Sequence, residues 1–183
     1  MAQENYSNAV PSTASIAGHP IHPILIPFPI AFFVGALASD LAYWYTTDLF
    51  WARASLWLVG SGVVMAAVAA IFGLTDFLTL GRVRATRDGW IHFLGNGTIV
   101  LLQAVSWYLR SGGAEAAVVP WGLGISVLAT LMLLVTGWYG GELAYRHMIG
   151  VAGAVCEVGE GEKKKHHKEK HHRKEEEPYR KAA

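Results

Sequence analysis

Eight polar side chains able to bind metals, cofactors or protons fall at matching ends of four apolar stretches: His19, His22, Asp76, His92, Asn96, Glu142, Arg146 and His147. Imidazoles ligate haem iron and other transition metals, and carboxylates hold protons or cations, so the chemistry on offer is cofactor or metal binding. His19 and His22 stand in the run His19-Pro20-Ile21-His22-Pro23, with Pro27 and Pro29 close behind. Proline suits the first turn of a helix but not its interior, so this run predicts a kinked or extended approach that fixes where both rings point. His92 and Asn96 are four apart and share a helix face, as do Glu142 and Arg146, which could pair. At about 100° per residue, His147 points about 140° away from Glu142. No residue is assigned a catalytic role, and nothing in the chain demands an enzymatic activity.

The elements that must position these groups are membrane helices. Crossing about 30 Å of hydrocarbon takes roughly 20 mainly apolar residues. Residues 24–45, 56–74, 91–109 and 118–139 qualify. Only helices can span in this way, because open sheet edges in lipid leave backbone groups unpaired. The expected fold is therefore all-α, an integral membrane four-helix bundle. Trp44, Tyr45, Trp51, Trp90, Trp107, Tyr108, Trp121, Trp138 and Tyr139 fall at span ends, where amphipathic rings prefer the headgroup zone. Asp40 and Gln103 stand apart from the polar end and are expected to make helix-helix hydrogen bonds, while Gly35, Gly60, Gly62, Gly73, Gly122 and Gly124 read as packing surfaces.

Charge divides the chain. Residues 1–159 hold six arginines, no lysine and eight acidic residues; residues 160–183 hold nine Lys/Arg and six Glu within an overall charge of +1. The expected organisation is a disordered segment at 1–17, a four-helix transmembrane domain at 18–151, and a disordered Lys/His/Glu-rich tail at 152–183. Arg82, Arg84, Arg87, Arg146 and the basic tail lie on one side of the four spans, against Arg53 and Arg110 on the other. The positive-inside rule places both termini, and the polar cluster, on the cytoplasmic side of a bacterial inner membrane. The first twenty residues lack the pattern of a cleavable signal peptide, and the single Cys156 excludes an internal disulfide.

In the tail, His166, His167, His171 and His172 are candidates for transient metal binding, although attraction of the lysines to anionic headgroups accounts for the segment without a metal. No nucleic-acid role is expected, because Glu169, Glu175, Glu176 and Glu177 interrupt the positive run.

Three runs carry a family resemblance: GHPIHPILIPFPIA at 18–31, DGWIHFLGN at 88–96 and GWYGGELAYRHMIGV at 137–151. With the four-span layout they make residues 18–151 resemble the DUF2231 family of uncharacterised bacterial membrane proteins. Similar domains occur fused to Rieske-type or c-type cytochrome modules, so the resemblance implies electron transfer. This chain carries neither module, lacking CxxCH and having too few cysteines for an iron–sulfur centre.

Three uses of the cluster are open on residue type. His22, His92 and His147, on different helices, offer axial ligands for haem b, with His19, Asn96, Asp76, Glu142 and Arg146 around them. His19, His22 and His92 with Asp76 or Glu142 offer a non-haem transition-metal site. The same groups could hold a quinone head and exchange its protons. Helix capping and ion pairing explain any one of these residues equally well. The haem reading is preferred: a multi-pass redox component of an electron-transfer chain, in contact with the lipid bilayer and a redox protein partner. A non-redox metal-binding protein or a structural membrane subunit are the alternatives, with oligomeric state left open.

Overall fold

A computed structural model describes residues 9–151; the expectations for the tail and for residues 1–8 lie outside the described residues. A short hairpin precedes the helices. Strand β1 (Ser15–Ile16) pairs antiparallel with β2 (His19–Pro20) across Ala17 and Gly18, both at positive φ, the pattern of a tight two-residue turn. Helix α1 (Ile21–Leu25) runs into α2 (Pro27–Thr46), whose prolines sit where first-turn amides have no intrahelical partner.

Helix α3 (Leu49–Thr79) follows after only Thr47, in the left-handed region, and Asp48, whose carboxylate caps the helix by accepting from Phe50 N at 2.9 Å. The longer loop expected before residue 56 is therefore helix. After α4 (Gly81–Arg84), Thr86 caps α5 (Arg87–Ser111), accepting from Gly89 N at 3.0 Å. Helix α6 (Ala114–Ala117) and a kinked stretch, Val118–Gly122, lead into α7 (Leu123–Gly141), and a wider-pitched turn, Glu142–Arg146, ends the helical region.

Helices α2, α3, α5 and α7 pack together with alternating direction, so each passes from one end of the molecule to the other. The interior is made of small residues around a thin apolar layer of Phe33, Ala66, Ile99 and Ala129. The large apolar side chains point outward, among them Trp57, Leu101 and Leu134, each about 70% exposed or more. This arrangement inverts that of a water-soluble protein and suits a hydrocarbon surround. Three helical segments are long and apolar enough to cross a membrane: Ile21–Thr46, Leu49–Thr79 and Ala114–Arg146. Helix α5 has the length, 25 residues, but carries Arg87, Asp88, His92, Asn96, Gln103 and Arg110.

The expected disorder of 1–17 is corrected for residues 9–17. Asp76, at the last turn of α3, accepts from Ser12 Oγ at 2.7 Å, Thr13 N at 2.8 Å and Ala14 N at 3.0 Å. Val10 bridges to the other terminus of the domain, its N donating to Met148 O at 2.9 Å and its O accepting from Gly150 N at 2.8 Å. A carboxylate saturated by three donors holds a segment that its own apolar content could not.

Candidate functional site

The eight polar residues do collect at one end of the bundle, but as separate groups. His22 and His92 form the central one. Helix α1 brings His22 against α3, where its Nδ1 lies 2.8 Å from the Ala69 carbonyl oxygen; α5 brings His92 against α7, where its Nδ1 lies 2.9 Å from the Thr136 carbonyl oxygen. A carbonyl oxygen can only accept, so each Nδ1 carries a proton, and in the neutral ring it is Nε2 that keeps the lone pair. Neither Nε2 has a hydrogen-bond partner among the described residues. The ring centroids are 6.3 Å apart, with planes at 85°.

Glycine makes this approach possible. A Cβ on Gly73 of α3 would stand 2.7 Å from two atoms of the His22 ring, and one on Gly140 of α7 would stand 2.9 Å from His92 Cε1. Both rings therefore lie directly on the backbone of the opposing helix. Asn96 braces His92 from one turn below: its Nδ2 donates to the His92 carbonyl at 2.7 Å, and its Oδ1 accepts from Thr136 Oγ1 at 3.3 Å. Of the expected glycine surfaces, Gly60 and Gly62 likewise admit Trp107 and Phe33, while Gly124 faces open space.

The remaining candidates turn elsewhere. His147 Nε2 meets Asp88 Oδ2 at 2.8 Å, joining the exit from α7 to the first turn of α5. Arg146 and Glu142 pair at 3.2 Å along an outward groove, with Arg146 well exposed. Asp76 is saturated by the N-terminal segment. His19 is exposed on β2, its Nδ1 3.0 Å from the Ala17 carbonyl oxygen. Among the described residues no three His, Cys, Asp or Glu side chains converge as a metal cage. The ligand set of His19, His22 and His92 is therefore not assembled, because the hairpin turns His19 back on its own loop.

The opposite end holds a polar cluster that spacing did not reveal. Asp40 of α2 and Arg110 of α5 form a two-pronged ion pair, Oδ1 to Nη1 at 2.5 Å and Oδ2 to Nη2 at 2.8 Å, with both side chains fully buried. Ser55 of α3 donates to Asp40 Oδ1 at 2.5 Å, Ser126 of α7 donates to Oδ2 at 2.6 Å, and Ser106 accepts from Arg110 Nε at 3.0 Å. Asp40 thus makes the helix-helix hydrogen bonds expected of it, and each of the four long helices contributes a member. Arg110 had counted only as a charge beyond the third apolar stretch. The available signal was a carboxylate within one apolar stretch and a guanidinium directly at the end of another, on the same side of the bundle. Gln103 departs from expectation in the other direction, being fully buried with neither side-chain amide atom hydrogen-bonded.

An all-α architecture with large apolar residues outward and the buried charges paired inside defines the class, an integral membrane protein. The chain matches the family model described as "Predicted membrane protein (DUF2231)" over residues 18–153, and it belongs to that family. No curated protein and no solved structure matches it.

Proposed function

We propose that the protein is a multi-pass membrane component that binds haem b between His22 and His92 and passes electrons at one membrane face. The observation that supports this is the pair of imidazoles, each locked by a backbone carbonyl in the tautomer that frees Nε2. Two imidazoles that shared one metal, each through a bond of about 2 Å, would stand up to about 6 Å apart between centroids. The pair stands at 6.3 Å. Two protein ligands are too few for a bare zinc or iron ion, but they suit a macrocycle that supplies four nitrogens of its own. The Nδ1–H···O=C bonds are the outer contacts that orient ligating histidines and raise their basicity. Bound haem would supply one-electron redox chemistry. The chain's own part is to hold both rings by their Nδ1 protons and shield one side with the helix backbones bearing Gly73 and Gly140.

In this reading α5 is the fourth span. Its mean apolarity is lowered by polar residues, of which His92, Asn96, Gln103 and Arg110 lie on the face turned into the bundle, and 25 residues at 1.5 Å reach about 37 Å. Both termini and the histidine pair then lie on the cytoplasmic side of a bacterial inner membrane, in reach of a redox protein partner. Reporter fusions at Gly113 and at the C-terminus should report opposite sides; the same side for both would remove the four-span topology.

The deciding experiment is a visible and electron paramagnetic resonance spectrum of the purified protein after haem supplementation. A low-spin bis-imidazole spectrum is expected, lost in His22→Ala and in His92→Ala. Imidazole planes near 85° should also give a strongly anisotropic ferric signal rather than a rhombic one. Protein that folds and takes up no haem, or a spectrum untouched by both substitutions, would overturn the assignment.

A further inference from the structure

Helix α5 turns one face into the bundle along its whole length: His92, Asn96, Ile99, Gln103, Ser106 and Arg110, at alternating spacings of four and three. Such a stripe keeps one side of a helix inward. Its polar members at both ends have partners: His92 and Asn96 bond to each other's turn and to Thr136, while Arg110 bonds to Asp40 and three serines. Gln103 is the exception. Its side chain is wholly buried, and both Nε2 and Oε1 lack a hydrogen-bond partner. Leucine or methionine would fill the same space without that penalty, so an amide buried at this depth points to a partner outside the chain.

We propose that Gln103 is the centre of an internal water site, holding one or two water molecules that link it to Ser106 and through Ser106 to the Arg110–Asp40 pair. The chemistry of the amide selects the guest. It presents a donor and an acceptor together. A cation would leave Nε2 unanswered, an anion would leave Oε1 unanswered, and a lipid chain would satisfy neither. Asp40 and Arg110, the nearest buried charges along the stripe, neutralise each other through two contacts and call for no counter-ion. Water is the small species that donates and accepts at once, and it settles where two to four polar partners surround it.

Ser106 supplies the next partner. It lies three residues from Gln103 on the same face, and its oxygen accepts from Arg110 Nε at 3.0 Å. Among the described residues its hydroxyl proton has no acceptor, which leaves it to donate to the guest. On the other side the apolar layer of Phe33, Ala66, Ile99 and Ala129 closes the site off from Asn96 and His92. The water site therefore belongs to the ion-pair end of the bundle, and it stands whether or not the histidine pair binds haem.

The test is solid-state NMR of the full-length protein in lipid bilayers, measuring magnetisation transfer from water to side-chain amides labelled on glutamine. The chain has only two glutamines, Gln3 and Gln103, so Gln3→Asn leaves one signal to assign even if variants at position 103 fail to fold. Transfer to Gln103 Nε2 should be at least about fivefold faster than to the backbone amide of Ile99 in the dry layer, as expected of a bound water within hydrogen-bond reach. In Gln103→Met, water contact at Ser106 should fall as well. Transfer no faster than at Ile99 would overturn the proposal, as would undiminished water contact at Ser106 in Gln103→Met.

Discussion

The two polar ends of this bundle are built from similar materials to opposite specifications. At one end Asp40 and Arg110 are wholly buried, and both carboxylate oxygens and all three guanidinium nitrogens are engaged by each other or by Ser55, Ser106 and Ser126. At the other, His22 and His92 stand half-buried with one ring nitrogen fixed and the second unengaged. A saturated site has nothing left to offer a ligand and ties four helices together; an unsaturated, rigidly oriented site has a lone pair to give. Ionisable residues at membrane depth are a general sign of function, but this molecule separates two meanings of that sign.

The sharpest way to break the comparison is to remove one member of the saturated end. Asp40→Ala or Arg110→Ala should cost about 3–5 kcal/mol, because the surviving charge is left buried without its partner. Unfolding of each variant in detergent or bilayers measures this. The pair Asp40→Ala with Arg110→Ala should be less unstable than the two single losses added together, since neither charge then remains. A loss below about 1 kcal/mol for either single variant would mean that the pair is not sealed from solvent.

Next in size is the steric cradle at the open end. Gly73→Ala and Gly140→Ala would each place a methyl group under 3 Å from a histidine ring, a clash relieved only by moving the ring or the helix. Such overpacking costs about 1–3 kcal/mol. If the rings serve a cofactor, binding should fall by more than the change in thermal stability accounts for. Gly124→Ala, where a Cβ meets nothing within 4 Å, is the control.

Replacing the histidines themselves should disturb the fold less than either change above, since His22→Ala and His92→Ala each remove one neutral hydrogen bond to a carbonyl, worth about 0.5–1.5 kcal/mol. Folded variants that have lost cofactor absorbance would confirm that the two ends differ in kind. Collapse on the scale of Asp40→Ala would make both ends structural. Asp76→Asn should act locally: weaker bonds from Ser12, Thr13 and Ala14 should release residues 9–14 to protease at little global cost, about 1 kcal/mol. Smallest of all, Arg146→Ala breaks an exposed pair along one helical turn and should change stability by less than about 0.5 kcal/mol.

Sequence alone determined that the chain is helical and membrane-bound, that His22 and His92 share an end of the bundle, and that glycine would matter there. Each follows from local information: the length of an apolar run sets a span, the number of spans sets which ends coincide, and a glycine marks close approach wherever the backbone meets a neighbour. It did not separate His19 from His22, because that depends on a two-residue turn at Ala17 and Gly18 sending one ring outward. Nor did it reveal that Asp76 belongs to the N-terminal segment, or that Asp40 and Arg110 are partners 70 residues apart. Partnership between distant polar groups is decided by the rotation of each helix about its axis. That rotation is fixed by how small residues interdigitate across several helices at once, a property of the assembled interior that no single stretch of chain contains.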